Sequence, residues 1–404
     1  MEDKKKKYLY VSGGKSICYD ETTCYCNGKI VPRQPEDADV AVDIIALNMM
    51  RTRINEDLER LLGYITNVAV LTAAGTSLDN YENSGKTRTT LWEHCLIEIN
   101  AIIAFLDKQH LKDKVEDYVK AKDIEKLLSY LLLYERVNSK IPEDLVEKLE
   151  KKIAEACKLD LHKDNNHHGL FLRKLTSRKL TYPRLELYTL NYDTLFEQAA
   201  KRLGYTIIDG FSFSHPREFS GRNYNFDIVR RENSRMRKEE NYAPDVFKLF
   251  KLHGSIDWEK VGGKIYQKES VDKPCMVYPA SDKYESSYDQ PYFEMMSHFQ
   301  QTLRKDSTLL IVVGFGFQDK HIQNAIKEAS LINSNFHLLI VCYQMDKDGQ
   351  ETGILQSSLP DYVSSDYKTP SNVTVIFSKF KEFADMIPHN KSFDIINDKG
   401  YETI

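Results

Sequence analysis

The chain has 404 residues, 41% of them hydrophobic and 29% charged, with a formal net charge of −4. That length suits two domains, or one large domain carrying an insertion, with apolar residues enough for a real core. No run approaches the ~20 apolar residues of a membrane helix, the basic start Met1–Lys7 has no apolar segment behind it and so is no secretory signal, and the slightly acidic balance excludes a chain that grips nucleic acid over its whole surface.

A cytoplasmic protein is the expectation. Of the seven cysteines, Cys18, Cys24 and Cys26 lie close together, while Cys95, Cys157, Cys275 and Cys342 stand apart. A zinc ribbon needs two CxxC pairs, and the chain has none, so reduced structural thiols and no metal are expected. The basic residues Arg230, Arg231, Arg235, Arg237 and Lys238 are offset by Glu232, Glu239 and Glu240 and read as a solvated loop.

In chain order, Tyr8–Val11 looks like a strand, followed by a Gly/Cys/Pro-rich path ending at Pro35. Residues 1–38 are expected to form an extension on the domain surface or on a neighbouring subunit. Gly13-Gly14-Lys15-Ser16 imitates the tail of a phosphate-binding P-loop, but Leu9 stands where its first glycine belongs; Gly85-Lys86-Thr87 fails in the same way at Asn80. From Val40 to Leu62 apolar residues recur at helical spacing, with Asp37 or Asp39 to cap the start and Gly63 to close it. Val68–Leu71 is a short, continuously apolar run, as an interior parallel strand should be. It leads directly into Ala73-Ala74-Gly75-Thr76-Ser77, small residues that let the backbone come close to a ligand phosphate. Leu78–Thr90 reads as a polar loop.

Residues 91–180 carry only helical periods, such as Ile124, Leu127, Leu128 and Leu131, and predict an all-helical insertion of four or five helices. His162, His167 and His168 near its end admit a metal cluster, although loop histidines without cysteine partners read more simply as loop. The α/β pattern resumes with a strand ending at Leu190, with Asn191 and Asp193 at its tip, then a helix over Thr194–Leu203 with Gly204 as its cap. Asp193 has a second reading as the cap of that helix. A strand at Tyr205–Ile208 and an irregular stretch over Phe211–Tyr242 come next. The run Asp245–Leu252 predicts a strand delivering His253 and Gly254 to its carboxyl end, where open α/β sheets collect ligands; a tight-turn histidine beside Trp258 is the other reading. Lys264–Tyr266 and Cys275–Tyr278 suggest a small subdomain. A helix over Pro291–Leu303 precedes Leu309–Val313, the most apolar strand, which delivers Gly314-Phe315-Gly316-Phe317. Asp319 reads as the cap of the helix beyond it. Strands at His337–Cys342 and Val373–Phe377 complete the sheet.

These four strand ends, in this order, resemble the sirtuin (silent-information-regulator-like) NAD-consuming fold. Ala73–Ser77 is similar to its GAGxS loop, with Ala73 in place of the first glycine. Thr189–Asp193 is similar to its TxNxD loop, His253-Gly254 to its HG motif, and Gly314–Gly316 to its second glycine-rich loop. Thr189–Glu197, Lys251–Trp258 and Gly314–Ile322 more closely resemble the bacterial anti-phage branch, of the kind paired with a HerA-type ATPase. The resemblance covers residues 64–90 and 180–385. It implies an α/β fold with a Rossmann-like parallel sheet, the catalytic domain over 39–90 and 181–390, the insertion over 91–180, and a tail over 391–404. It implies NAD+ as substrate, held by Ala73, Ala74, Gly75, Ser77, Thr189, Gly314, Gly316 and Phe317, with backbone amides of Gly75, Ser77, Gly314 and Gly316 cradling phosphates and ribose. Asn191, His253 and Asp193 are the implied catalytic residues, His253 being able to take a proton near neutral pH. NAD+ glycohydrolysis in an oligomer, with a HerA-type partner, is the expected activity. An NAD-dependent deacylase, whose zinc ribbon has no counterpart here, a non-catalytic NAD or ADP-ribose sensor, and a nuclease subunit stay open.

Overall fold

The chain begins with a meander of four strands, β1 (Lys7–Ser12), β2 (Lys15–Tyr19), β3 (Cys24–Cys26) and β4 (Lys29–Ile30). Helix α1 (Val42–Tyr64) follows, then β5 (Asn67–Thr72) and the single-turn α2 (Ala74–Ser77). Five helices come next: α3 (Arg88–His94), α4 (Leu96–Lys108), α5 (Glu116–Lys120), α6 (Ile124–Asn138) and α7 (Glu143–Cys157). After α8 (His167–Thr176) the chain runs through β6 (Glu186–Thr189), α9 (Leu195–Leu203), β7 (Thr206–Ile208), β8 (Arg217–Glu218), β9 (Val246–Lys251), β10 (Gly254–Val261), β11 (Lys264–Gln267) and β12 (Pro274–Met276). It ends with α10 (Tyr292–Arg304), β13 (Thr308–Val313), α11 (Lys320–Ile332), β14 (Phe336–Cys342), β15 (Val373–Phe377) and α12 (Phe380–Met386). This computed structural model describes residues 6–37, 39–138, 143–230, 242–276, 291–317, 319–343, 362–364 and 366–389. Val277, Tyr278, the basic run beyond Arg230 and the tail 391–404 lie outside the described residues.

Seven strands form the parallel body of the sheet in the order β15-β14-β13-β5-β6-β9-β7. Every residue of β13 is buried, because helices cover both faces and leave no side for polar alternation. The α/β class with a parallel sheet is therefore as the residues predict. One layer holds α1, α8, α9 and α12, joined by Phe171, Phe196, Phe380 and Phe383. On α1 the buried residues Val42, Ala46, Met50, Ile54, Leu58 and Leu61 make one stripe, the helical period seen in the sequence. The opposite layer holds α10 and α11, with Phe299, Ile322 and Ile326, and shares its core with Trp258 and Ile265 of a second sheet, β12-β10-β11-β8.

Two boundaries differ from expectation. Residues 7–30 are built into the sheet itself rather than packed over the domain. Strand β1 pairs antiparallel with β15, Tyr10 opposite Ile376, and β2, β3 and β4 extend the sheet outward. Tyr10 enters one apolar layer and Val11 the other, so β1 is sealed on both faces like an interior strand. At the other boundary, α8 lies within 91–180 yet gives Phe171, Leu172 and Leu175 to the core beneath the sheet. The insertion proper is α3 to α7, around Trp92, Ile102, Leu128, Leu131 and Leu149. Periodicity shows that a helix has an apolar face; it does not show which core that face meets. The predicted loop over Leu78–Thr90 ends early, because α3 starts at Arg88. Among the described residues no single helix is long and apolar enough to cross a membrane.

Candidate active site

The ladder sets four strand ends level. Val313 stands opposite Thr72, Thr72 opposite Thr189, and Thr189 opposite Lys251. The residues that follow, Gly314, Ala73, Leu190 and Leu252, therefore form one rim at the carboxyl end of the sheet. From this rim β6 leads to α9 in one layer and β13 leads to α11 in the other. Strand order reverses between β5 and β13, which opens the crevice where such sheets bind ligands.

At that crevice two glycines touch. A Cβ on Gly75 would lie 2.5 Å from the Cα of Gly314, and a Cβ on Gly314 2.5 Å from the Cα of Gly75. Gly75 N–H donates to Gly314 O (3.1 Å), Ala73 N–H to Val313 O (3.1 Å), and Gly314 N–H to Val341 O (3.1 Å). This corrects the expected amide cradle. The amides of Gly75 and Gly314 are taken by neighbouring strands, so these glycines act through their missing side chains. Gly316 is exposed with open space where a side chain would stand, and Ala74 is exposed beside it on the rim. Gly314→Ala, at φ +66° and against backbone, should cost about 1–3 kcal/mol, read as a lowered denaturation midpoint.

Asn191 fastens this crossing to the next strand. The two N–H groups of its side-chain nitrogen are shared among Ala73 O (3.0 Å), Thr76 Oγ1 (3.1 Å) and Ser77 Oγ (2.8 Å). The amide oxygen is the part of Asn191 left to address a ligand or a water. Thr189 is buried, and its Oγ1 accepts the Asn191 N–H (3.1 Å). Ser77 donates to Asp193 Oδ2 (2.5 Å), while Asp193 Oδ1 accepts the N–H of Leu195 (3.1 Å). Asp193 is thus buried with both oxygens engaged, and its geometry is that of a positioning residue rather than one facing substrate. Phe317 differs from its expected place in the ligand site. At φ +53° its ring turns inward, onto Phe315 (4.8 Å between centroids) and Tyr362 (5.4 Å).

His253, half-buried in the turn between β9 and β10, meets Asp319: Nε2 and Oδ2 are 3.1 Å apart. The other oxygen of Asp319 accepts the N–H groups of His321 (2.9 Å) and Ile322 (3.2 Å) at the start of α11. The expected cap is real, and the same carboxylate also orients His253. Burial alone would raise the Asp319 carboxyl; the bond and charge of His253, with the two backbone donors, hold it below the ordinary value.

Beneath them lies a pair that motif reading passes over. Lys251 is 2% exposed, and its Nζ donates to Glu197 Oε1 (2.8 Å) and to the carbonyls of Asp193 and Tyr192. Burial works against its charge, but the carboxylates of Glu197, Asp257 and Asp193 keep the ammonium above its ordinary pKa. Both residues sit within the quoted motifs, and only their depth was hidden. The three histidines lie elsewhere. The rings of His167 and His168 meet at 5.0 Å between centroids, tilted by 38°, and His168 Nδ1 is 3.0 Å from Asn165 Oδ1. Among the described residues no group of three or more His, Cys, Asp or Glu is placed to hold a metal.

No curated protein matches the chain. Solved Sir2 structures align over most of its length at low identity. One, from work on the mechanism and regulation of Sir2 enzymes, shares 13% identity over 86% of this chain and 100% of its own, with a TM-score of 0.40. A Sir2 variant with a deacetylated p53 peptide and 3'-O-acetyl ADP-ribose shares 13% over 83% and 96%, TM-score 0.41. Sir2 with a p53 peptide and NAD+ shares 14% over 82% and 95%, TM-score 0.38. The matched family stretch begins just before β6 and takes in Asn191, His253, Gly314 and Asp319. Residues 185–359 match a family model described as a SIR2-like domain.

Proposed function

We propose that this protein is an NAD+ glycohydrolase, releasing nicotinamide and ADP-ribose. The observation that carries this reading is the His253–Asp319 pair standing on the same rim as Asn191 and the Gly75–Gly314 crossing, all of them but Gly75 within the stretch similar to a SIR2-like domain. The crossing suits a nucleotide, because two residues without side chains let a ligand come close to the main chain at the strand ends. Bound NAD+ supplies a ribosyl carbon with nicotinamide as leaving group. Asn191, fixed through its nitrogen by three acceptors, holds its oxygen toward that carbon and the incoming water. His253, oriented by Asp319, takes the proton of that water. Water's oxygen bonds to carbon, the C–N pair leaves with nicotinamide, and the proton passes from His253 to solvent.

A specific feature favours hydrolysis over peptide deacylation. The small sheet after His253 is held by the apolar contacts of Phe211, Phe219, Trp258 and Ile265 rather than by cysteine ligands. The biological role proposed with this activity is NAD+ depletion during phage infection, in an assembly of several copies with a HerA-type ATPase. The motifs Thr189–Glu197 and Lys251–Trp258 support it. The test is nicotinamide release from NAD+ by this chain, alone and with a HerA-type ATPase, with and without an acyl-lysine peptide. Equal nicotinamide and ADP-ribose, independent of peptide, is expected. Tight binding without turnover in every arm would leave a sensor, and peptide-dependent turnover a deacylase.

A further inference from the structure

His253 stands in a short clip of chain that closes over the residues after Asn191. Two places before it, Lys251 Nζ reaches the carbonyls of Tyr192 and Asp193. Three places after it, Ile256 N–H donates to the same Tyr192 carbonyl (3.1 Å). Ser255 Oγ lies 3.3 Å from that oxygen, and its single proton is shared with Asp257 Oδ1. Ser255 and Asp257 are two apart on β10, so they share one face of the strand. Trp258 turns to the other face, into aromatic contacts with Phe211 and Phe219. Asp257 is held from β11: its Oδ2 accepts Gln267 Nε2 (2.7 Å), and Gln267 Oε1 accepts in turn from Arg217 Nη1 on β8. Arg217 is anchored just past β7, its Nη2 donating to Asp209 Oδ1 (2.8 Å). A hydrogen-bonded row therefore runs from the small sheet to the backbone one residue beyond Asn191.

We infer that Asp257 is a positioning residue of the NAD+ site, the anchor by which the small sheet sets His253 against Asn191. The inference rests on the glycohydrolase reading. His253 and Asn191 follow different strands, and the ladder between those strands ends at Thr189 and Lys251. Beyond that point the clip onto Tyr192 and Asp193 carries the alignment on. Precision matters there, because a displacement of about 1 Å between reacting groups can cost on the order of 10²-fold in rate. Without the Asp257 carboxylate, the Ser255 hydroxyl and the Gln267 amide lose the acceptor that ties them together, and β10 is free to shift with His253 at its head. The second sheet is then part of the catalytic apparatus. A plainer role exists, in which Asp257 only staples β10 to β11. That role would lower the melting temperature and leave turnover per folded molecule untouched.

The experiment measures nicotinamide release by the wild-type chain, Asp257→Ala and Asp257→Asn, and repeats Asp257→Ala on a His253→Ala background at higher protein concentration. Asp257→Ala should lower kcat on the order of 10–10²-fold, with KM within about twofold. Asp257→Asn keeps an oxygen for the Ser255 hydroxyl and should recover most of the loss. On the His253→Ala background the further fall should be less than about twofold, because the effect of Asp257 passes through His253. Thermal melting verifies that each variant is folded; should Asp257→Ala unfold, Ser255→Ala, which removes only the hydroxyl, decides by the same two comparisons. Wild-type kcat in the folded variant, or the same fall with and without His253, overturns the inference and leaves the glycohydrolase reading standing. A wild-type chain that never turns NAD+ over removes that reading, and the inference with it.

Discussion

His253→Ala is expected to lower kcat for nicotinamide release by roughly 10²–10⁴-fold, the usual effect of losing a positioned proton acceptor. Its bond to Asp319 makes a second expectation sharper. Asp319→Asn keeps a side chain that can accept from His321 and Ile322, so α11 stays capped, while the charge beside His253 is gone. The Asn variant should therefore melt near wild type and still lose much of kcat. Asp319→Ala should lose both, because an N-cap is worth about 0.5–2 kcal/mol. Rates that track melting temperature across these three variants would mean that Asp319 serves only the helix.

Lys251→Ala is the largest stability change we expect, about 3–5 kcal/mol, since it strands the Glu197 carboxyl, which burial pushes up to about 7 even beside the ammonium, without its partner. The carbonyls of Asp193 and Tyr192 lose a donor in the same step. Chemical denaturation should show a lower midpoint with an unchanged slope. Replacing the pair together, Lys251→Met with Glu197→Leu, should recover most of the loss, because two apolar side chains of similar volume leave no stranded charge. A double variant as unstable as Lys251→Ala would contradict this account. The Asn191 loop should loosen in the single variant, so NAD+ affinity is expected to fall along with stability.

How far the residues alone could lead depends on what each signal measures. Strand tips are legible because a buried parallel strand is a continuous apolar run and the residue after it is small or polar; Gly75, Asn191, His253 and Gly314 were all found that way. The use made of each tip is less legible. Nothing local says that the amides of Gly75 and Gly314 are taken by Gly314 O and Val341 O, since both partners come from distant strands. Phe317 was expected at the ligand because it follows a glycine loop, but its left-handed backbone swings the ring inward. Lys251 sits in Val246-Phe247-Lys248-Leu249-Phe250-Lys251, where a lysine reads as solvated, and only the long-range meeting with Glu197 explains its burial.

The register that levels the four strand tips also governs when the site can exist. Strand β5 is bordered on one side by β6 and on the other by β13, and β1 waits for β15, with Ser12 meeting Thr374 across 362 positions of sequence. Sheets closed by such distant pairings fold late and slowly, because loop entropy must be overcome before any contact repays it. A chain emerging from the ribosome therefore carries Asn191 and His253 well before Gly314 and Asp319 arrive to finish the cleft. On the proposed function, late closure keeps a nascent copy idle until β13 to β15 have been made and have closed the sheet.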